Sequence, residues 1–519
     1  MNPAAPSPAI ESTDPGRGRA ARSVLTWTTG LGATGLVAFA GFLATPYLVR
    51  WLGDAQWGAW TVIGEWLGYL GLSQLALGPG AMTVFLLRAH TRGEHLSLTA
   101  TAKRGLRLYL IAALLLAPLG LALAWWAPPT LHADPSLLPR LRWAVGIAAF
   151  GGLALTPPLL FRSVLETVQR GYLVRAALLI QALTITALSL WWTWRGWGIA
   201  GMAAASVVGM TLGASLWIVW ARPWLPRWRS TPPAAIPSRE IWHINGPLLV
   251  ALAGNQINVL TDNTVVGLRL GAAAVTGFAL TQSLLLLAGT QLTEIGAVSW
   301  AAMGDLRARN DGRMAQRIVE LCATVLGVGM VLMATLAAFN RPFVTLWVGA
   351  RHYDGGALSL ATAASLVVFS FICFFSWLLD TQGDTRRRMW VSSIGSGINL
   401  GLSWWLARRW GPAGVAFGTL AAYLATDAWF LPYLAVRLYG VPARELVRAL
   451  CNAGLRGGAW AGGVYLAFGW VRFLTTWPRL IAALAAIGAA AAAYCWYVVL
   501  RHEDRAAWKG RWSGLRPAA

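Results

Sequence analysis

The seventh of fourteen long apolar stretches carries Asn255, Asn258, Asp262 and Arg269. Spaced i, i+3, i+7 and i+14, these four fall within an arc of about 60° on a helix that turns about 100° per residue. An ionised side chain at the centre of a bilayer costs about 2.5 to 3.5 kcal/mol even on insertion scales, so a stripe of this kind points to a task. A carboxylate there can take up a proton or Na+ and couple it to the movement of another solute. Asp262 is the first candidate for that chemistry. Glu65 in the second stretch, and Gln291 with Glu294 in the eighth, come next. The bland alternative for Asp262 and Glu65 is a hydrogen-bonded packing residue between helices.

The elements that must hold these residues are apolar helices. Hydrophobic residues make up 57% of the 519-residue chain and charged residues 12%, a balance outside the range of soluble domains. Each stretch matches the roughly 20 residues that cross a hydrocarbon core. Those used below are the first (Leu25–Val49), second (Trp57–Leu87), fourth (Trp143–Phe161), seventh (Ile244–Leu268), eleventh (Met389–Ala407), twelfth (Ala413–Val436) and thirteenth (Gly457–Phe473). Gly78, Pro79 and Gly80 predict a kink or re-entry near the inner end of the second.

Charge predicts the orientation. With the N-terminus cytoplasmic, the even-numbered loops and both tails hold 31 of the 42 Lys and Arg, and the odd-numbered loops hold 11. That bias is the positive-inside pattern, and it accounts for the net charge of +22 without nucleic acid. Trp51, Trp57, Trp125, Trp126, Trp191, Trp192, Trp404 and Trp405 crowd the helix ends, where aromatic belts form. Cys322, Cys373, Cys451 and Cys495 lie in or beside spans without metal-ligand spacing, and the six His never form a helical pair. No metal site and no cofactor is expected. The absence of a Walker motif excludes ATP hydrolysis within the chain. Residues 1–24 have no apolar signal region, so the first span is expected to target the chain.

A repeat underlies the spans. Gln169-Arg170-Gly171-Tyr172 and Gly198-Ile199-Ala200-Gly201 match Gln382-Gly383-Asp384-Thr385 and Gly411-Pro412-Ala413-Gly414 at an offset of about 213 residues. Val49-Arg50-Trp51-Leu52-Gly53 matches Leu268-Arg269-Leu270-Gly271 at about 218. The expected fold is an all-α integral membrane protein of about fourteen transmembrane helices. Two parallel-repeat six-helix halves would surround a central cavity, with two C-terminal helices added. The expected segments are a disordered basic cytoplasmic tail (1–24), an N-terminal half (25–220), a cytoplasmic linker (221–243), a C-terminal half (244–436), two further helices (437–500) and a cytoplasmic tail (501–519). At the repeat offset, Ala40 and Ala44 stand where the C-terminal half has Asn258 and Asp262. The polar stripe therefore belongs to one half only.

The segment Leu48–Trp60, followed by Gly68-Tyr69-Leu70 and Leu77-Gly78-Pro79-Gly80, resembles the opening of Wzx-type polysaccharide flippases. Asp262–Gly271 with Gly277, Leu346-Trp347-Val348-Gly349 after Pro342, and Asn399 through Gly411 to Gly414 are similar to the same family. The resemblance covers residues 25–435. It implies a member of the multidrug, oligosaccharidyl-lipid and polysaccharide exporter superfamily. Such a protein moves a polyprenyl-diphosphate-linked glycan across the bacterial cytoplasmic (inner) membrane by alternating access, without ATP and with H+ or Na+ as candidate coupling ions. The implied partners are the lipid-linked glycan, membrane lipids, and a glycan polymerase or assembly proteins; the glycan could be O-antigen of lipopolysaccharide, capsule or exopolysaccharide. A diphosphate would be held by guanidinium groups, for which Arg50, Arg269, Arg88 and Arg162 are the candidates, with Asn255, Asn258 and Gln291 as further substrate contacts. Interface anchoring is the alternative reading of each arginine.

Three other classes compete. A cation-coupled multidrug antiporter of the same superfamily would also use acidic membrane residues. A polytopic glycan polymerase or glycosyltransferase would need acid/base groups on a sizeable outer loop. The longest outer connectors, Ala127–Arg142 and Asn340–Ser359, offer only Asp134 and Asp354 as acids, so no enzyme is expected. A purely structural membrane protein leaves the stripe unexplained.

Overall fold

A computed structural model describes residues 15–77, 79–91, 95–237, 239–241, 243, 261–308, 314–380, 385–467 and 474–500. Among them the regular structure is helical, with no strand. The helices are α1 (Pro15–Leu52), α2 (Asp54–Leu77), α3 (Pro79–Thr91), α4 (His95–Trp126), α5 (Leu138–Ala154), α6 (Leu159–Thr167), α7 (Gly171–Trp194) and α8 (Gly198–Ala221). They continue as α9 (Asp262–Leu270), α10 (Ala272–Ala308), α11 (Met314–Val348), α12 (Gly356–Asp380), α13 (Thr385–Ala425), α14 (Asp427–Tyr439), α15 (Ala443–Ala467) and α16 (Trp477–Tyr494). In hydrocarbon a backbone must satisfy its own hydrogen bonds, and runs of this apolarity do so as helices. Large apolar side chains face outward: Leu114 is 75% exposed, Leu115 71% and Leu466 83%. Lipid, not water, is the solvent such faces require.

Nine helices among the described residues are long and apolar enough to cross a membrane, one of them a 50-residue run, Trp390–Tyr439, that includes the expected eleventh and twelfth spans. The remaining differences from fourteen have local causes. The second stretch is two helices, α2 and α3, separated at residue 78 with Pro79 opening α3, where the Gly-Pro-Gly run predicted a kink. The fourth stretch bends by 44° between α5 and α6, because Pro157 and Pro158 supply no amide donors to continue the helix. Residues 244–260 of the seventh lie outside the described residues, and α9 runs from Asp262 to Leu270. The thirteenth runs into residues 468–473, also outside them. Helix α1 starts at Pro15, ten residues before the expected first span, since Ala and Arg in its first turns are strong helix formers.

Contacts divide the chain into two compact units. The first comprises residues 1–52, 69–128 and 136–249. Its core joins Leu86, Leu98, Tyr109, Leu160, Val164, Val174 and Trp217. The stretch after α8 is fixed to α4: Thr99 Oγ1 donates to Pro226 O at 3.2 Å, and Lys103 Nζ donates to Thr231 O at 2.6 Å.

The second unit comprises residues 53–68, 129–135 and 250–519. Cores form around Phe371, Phe374, Phe375, Leu378, Leu431 and Leu446, and around Leu285, Leu292, Met333 and Val367. The start of α2 lies hard against the start of α10, and a Cβ on Gly58 would overlap the carbonyl of Ala272. In α13 the backbone breaks at Gly411 (φ 59°, ψ −144°), a left-handed conformation suited to glycine. The break folds the second part of α13 back on the first, so Ser403 Oγ donates to the carbonyl of Val415 at 3.1 Å.

Candidate functional site

Asp262 opens the short helix α9. The amides of a helix's first turn lack partners within the helix and attract negative charge. A carboxylate from a different helix meets them. Glu65 of α2 accepts the Asn263 amide (3.2 Å) and side-chain Nδ2 (2.8 Å) on Oε1, and the Thr264 amide (2.7 Å) and hydroxyl (2.6 Å) on Oε2. The group is buried, with 5% of its surface exposed. Four donors on two oxygens engage Glu65 as the cap of α9, the hydrogen-bonded arrangement named above beside the ion-coupling reading.

Asp262 has the opposite environment. Its Oδ1 and Oδ2 both face Thr419 Oγ1 of α13, at 3.0 and 3.1 Å. The same hydroxyl lies 3.1 Å from Asn399 Oδ1 and 3.3 Å from Val415 O. Ser403 Oγ lies 2.9 Å from Asn399 Oδ1 and 3.1 Å from Val415 O. Six oxygens thus converge around the hydroxyls of Ser403 and Thr419, with Val415 O also serving the helical amide of Thr419. Asn399 and Ser403 are buried to 1% exposure. The cluster is rich in lone pairs. Its carboxylate, amide, hydroxyl and backbone oxygens suit a hard cation or a proton. Among the described residues, no three His, Cys, Asp or Glu side chains gather as metal ligands.

The remaining expected residues fall elsewhere. Asn255 and Asn258 lie outside the described residues, as does the side chain of Glu294. Gln291 is exposed and donates from Nε2 to Thr290 Oγ1 at 3.4 Å. Arg269, two turns along α9 from Asp262 on the same face, stacks 4.0 Å over the ring of Trp404, its Nε donating to Trp404 O at 3.4 Å. Arg88 pairs with Glu240 at 3.3 Å and Arg162 with Glu166 at 2.9 Å. Arg50, in the last turn of α1, is exposed. Of the four guanidinium groups, two are therefore neutralised by local acids and one is held by an indole.

Asn399, Ser403, Val415 and Thr419 were not among the expected site residues. The only signal was the small polar side chains of Asn399, Ser403 and Thr419 inside two apolar spans, a pattern shared with ordinary helix packing, while Val415 contributes only its backbone carbonyl. Asp427 was also missed. It is 3% exposed at the break between α13 and α14, accepting Ser392 Oγ at 3.0 Å on Oδ1 and Thr426 Oγ1 at 3.2 Å on Oδ2. An acid inside the twelfth span was the available clue.

No family model matches the chain. The curated relative it resembles, "Uncharacterized membrane protein EpsK" of Bacillus subtilis (strain 168), is 24% identical over 509 residues, covering 93% of this chain and 96% of that protein. Among solved structures, the lipid II flippase MurJ in an inward closed conformation aligns with a TM-score of 0.61 at 14% identity, over 86% of this chain and 98% of that one. An inward-facing multidrug resistance MATE family transporter of the MOP superfamily aligns at 0.58 and 14% identity, over 83% and 98%. An outward-facing MATE structure aligns at 0.54 and 13%, over 80% and 96%. The chain is a multi-pass membrane protein. Its fold is the one shared by MurJ and the MATE transporters of the MOP superfamily.

Proposed function

We propose that this protein is a Wzx-type flippase that carries a polyprenyl-diphosphate-linked oligosaccharide or polysaccharide precursor across the cytoplasmic membrane by alternating access. In this reading H+ or Na+ binding at Asp262 drives the cycle, and both termini are cytoplasmic. The observation that carries it is the donor-poor oxygen cluster of Asp262, Asn399, Ser403, Val415 and Thr419 in a fold shared with a lipid II flippase. An ion can shift a conformational equilibrium only through its difference in affinity for the two states. Helix α9 supplies such a difference: its first turn binds Thr419 of α13 through Asp262, and Glu65 of α2 through the next two residues. A cation placed among these oxygens would tighten α9 onto α13; its departure leaves a carboxylate facing other acceptors.

The test is flipping of a polyprenyl-diphosphate oligosaccharide in proteoliposomes, with and without an imposed Na+ or H+ gradient. Wild type should respond to one gradient, and Asp262→Asn should lose the response while still binding the substrate. An unchanged response in the variant would remove Asp262 from coupling. The second reading, a cation-coupled antiporter of organic cations, is supported by the MATE likeness and by the neutralised or stacked state of Arg88, Arg162 and Arg269. Gradient-driven uptake of an organic cation, with no flipping of the glycan lipid, would decide for it.

A further inference from the structure

The connector that follows α8 reads Arg222-Pro223-Trp224-Leu225-Pro226-Arg227-Trp228-Arg229. It begins where the apolar run Gly198–Trp224 ends, and it crosses the point where the run Ser97–Trp126 of α4 begins. Four hydrogen bonds pin this strap and the residues after it to the first turns of α4. Thr99 Oγ1 donates to Pro226 O at 3.2 Å, Lys103 Nζ donates to Arg229 O at 3.4 Å and Thr231 O at 2.6 Å, and the Ala234 amide donates to Ala100 O at 2.9 Å. Within the strap, Arg227 holds φ 51°, an uncommon conformation for a residue with a side chain. Its carbonyl accepts the amides of Ser230 and Thr231. The strap is therefore a fixed surface at one face of the membrane.

Its two sides differ in chemistry. Leu225 is buried, and Trp224 and Trp228 pack against the core of the first unit. The ring of Trp228 lies 5.9 Å from that of Phe161, and Lys103 Nζ lies 5.7 Å from its centroid. Arg222, Arg227 and Arg229 are exposed on the other side, and among the described residues none of the three forms an ion pair. No Asp or Glu occurs from residue 222 to 239 or from 95 to 126. The acids of neighbouring elements are already engaged, Glu166 by Arg162 and Glu240 by Arg88. Beside these cations α8 turns apolar side chains outward: Leu212 and Val219 are exposed, seven residues apart on one helix face, with Val219 three residues before Arg222.

We propose that the strap is a binding site for one anionic phospholipid, its phosphate taken by Arg222, Arg227 and Arg229 and its acyl chains lying along Leu212 and Val219 of α8. Guanidinium groups suit phosphate because their donors are forked and their charge is permanent. Tryptophans at the end of a span mark headgroup depth, where a phospholipid carries its phosphate. The exposed apolar face of α8 favours a lipid over a free anion, which would have no use for it. Cations that only set topology need no fixed backbone. Here the backbone is already ordered by its bonds to α4, so binding costs little further entropy. In the orientation proposed above this is the cytoplasmic leaflet, and the site does not depend on which solute is carried.

Native mass spectrometry of the full-length protein in detergent, titrated with phosphatidylglycerol or phosphatidylcholine, counts the lipids bound. Wild type should hold one phosphatidylglycerol at least about tenfold more tightly than phosphatidylcholine. The triple variant Arg222→Gln, Arg227→Gln, Arg229→Gln should lose that preference. A control triple, Arg437→Gln, Arg444→Gln, Arg448→Gln, removes the same charge from exposed positions of α14 and α15 and should keep it. Equal affinity of wild type for the two lipids, or equal loss in the two triples, would overturn the proposal. So would inorganic phosphate binding in place of the lipid at the same concentration, which would assign the strap to a free anion. Should the first triple fail to fold, Arg229→Gln alone, expected to lose about fivefold in affinity for phosphatidylglycerol, decides, and no loss there would overturn the proposal. Lipid counting does not read gradient coupling, so this proposal can fail while ion coupling at Asp262 stands, and the reverse.

Discussion

Two acidic clusters in the same unit, around Asp262 and around Asp54, solve opposite problems. At Asp262 six oxygens gather around the hydroxyls of Ser403 and Thr419, and in the proposed reading H+ or Na+ joins them. At Asp54 the carboxylate lies 3.0 Å from His352 Nε2, whose neutral Nε2–H tautomer already supplies a donor. What a buried acid binds thus follows from the donors around it more than from its own identity. Glu65 completes the comparison, because four donors already satisfy it and nothing further is required.

The comparison breaks most readily at Asp262. Asp262→Asn should remove at least about tenfold of gradient-stimulated flipping, the factor that follows from losing about 1.4 kcal/mol of differential cation binding. Initial rates in proteoliposomes measure it. The next effect is on stability: Glu65→Gln puts an amide nitrogen, which cannot accept, where one carboxyl oxygen meets two donors, and should cost about 2 kcal/mol. Thermal unfolding in detergent should show this loss in Glu65→Gln and a smaller change in Asp262→Asn. Equal losses would erase the distinction between a filled acid and an open one. A Cβ on Gly277 would come within 2.5 Å of Asp354 Oδ1, so Gly277→Ala should push Asp354 out of its niche at a cost of about 1 to 3 kcal/mol, leaving residues 349–355 weakly protected. Hydrogen exchange would detect it.

The smallest expected effect sharpens the pH behaviour. Asp354 holds its proton up to about 6 in the folded protein, above the value of about 3.9 in an unfolded chain. The folded state therefore binds more protons than the unfolded state between those values, and this group's contribution to stability falls as pH rises from about 4 through about 6. Asp354→Asn should remove that decline and raise the melting temperature at pH 7.5 by about 1 °C. Unchanged melting curves at both pH 4.5 and pH 7.5 would show that the carboxyl is solvated.

Several of these residues were visible in the chain. Asp262 and Glu65 stood out because acids inside apolar spans are costly, and Gly78-Pro79-Gly80 marked the place where α2 gives way to α3. Their relationship was not visible. Helical periodicity places Asp262 and Arg269 on one face of α9, but it says nothing of the indole of Trp404 under Arg269 or of the hydroxyl of Thr419 at Asp262. The bends at Pro157-Pro158 and Gly411 also escaped, because a hydropathy window averages over the two or three residues where a helix breaks.

Residence in a membrane, helical structure and the rough limits of the spans follow from composition alone, since hydrocarbon leaves an apolar chain no other way to satisfy its backbone. The chemistry of the acids does not. Thr419 lies 157 residues from Asp262 along the chain, and Asp54 lies 298 from His352. Local propensity carries no information over such separations. Only the packing of α2, α9 and α13 brings these donors and acceptors into hydrogen-bond reach, and it decides that Glu65 meets the first amides of α9 while Asp262 meets the hydroxyl of Thr419.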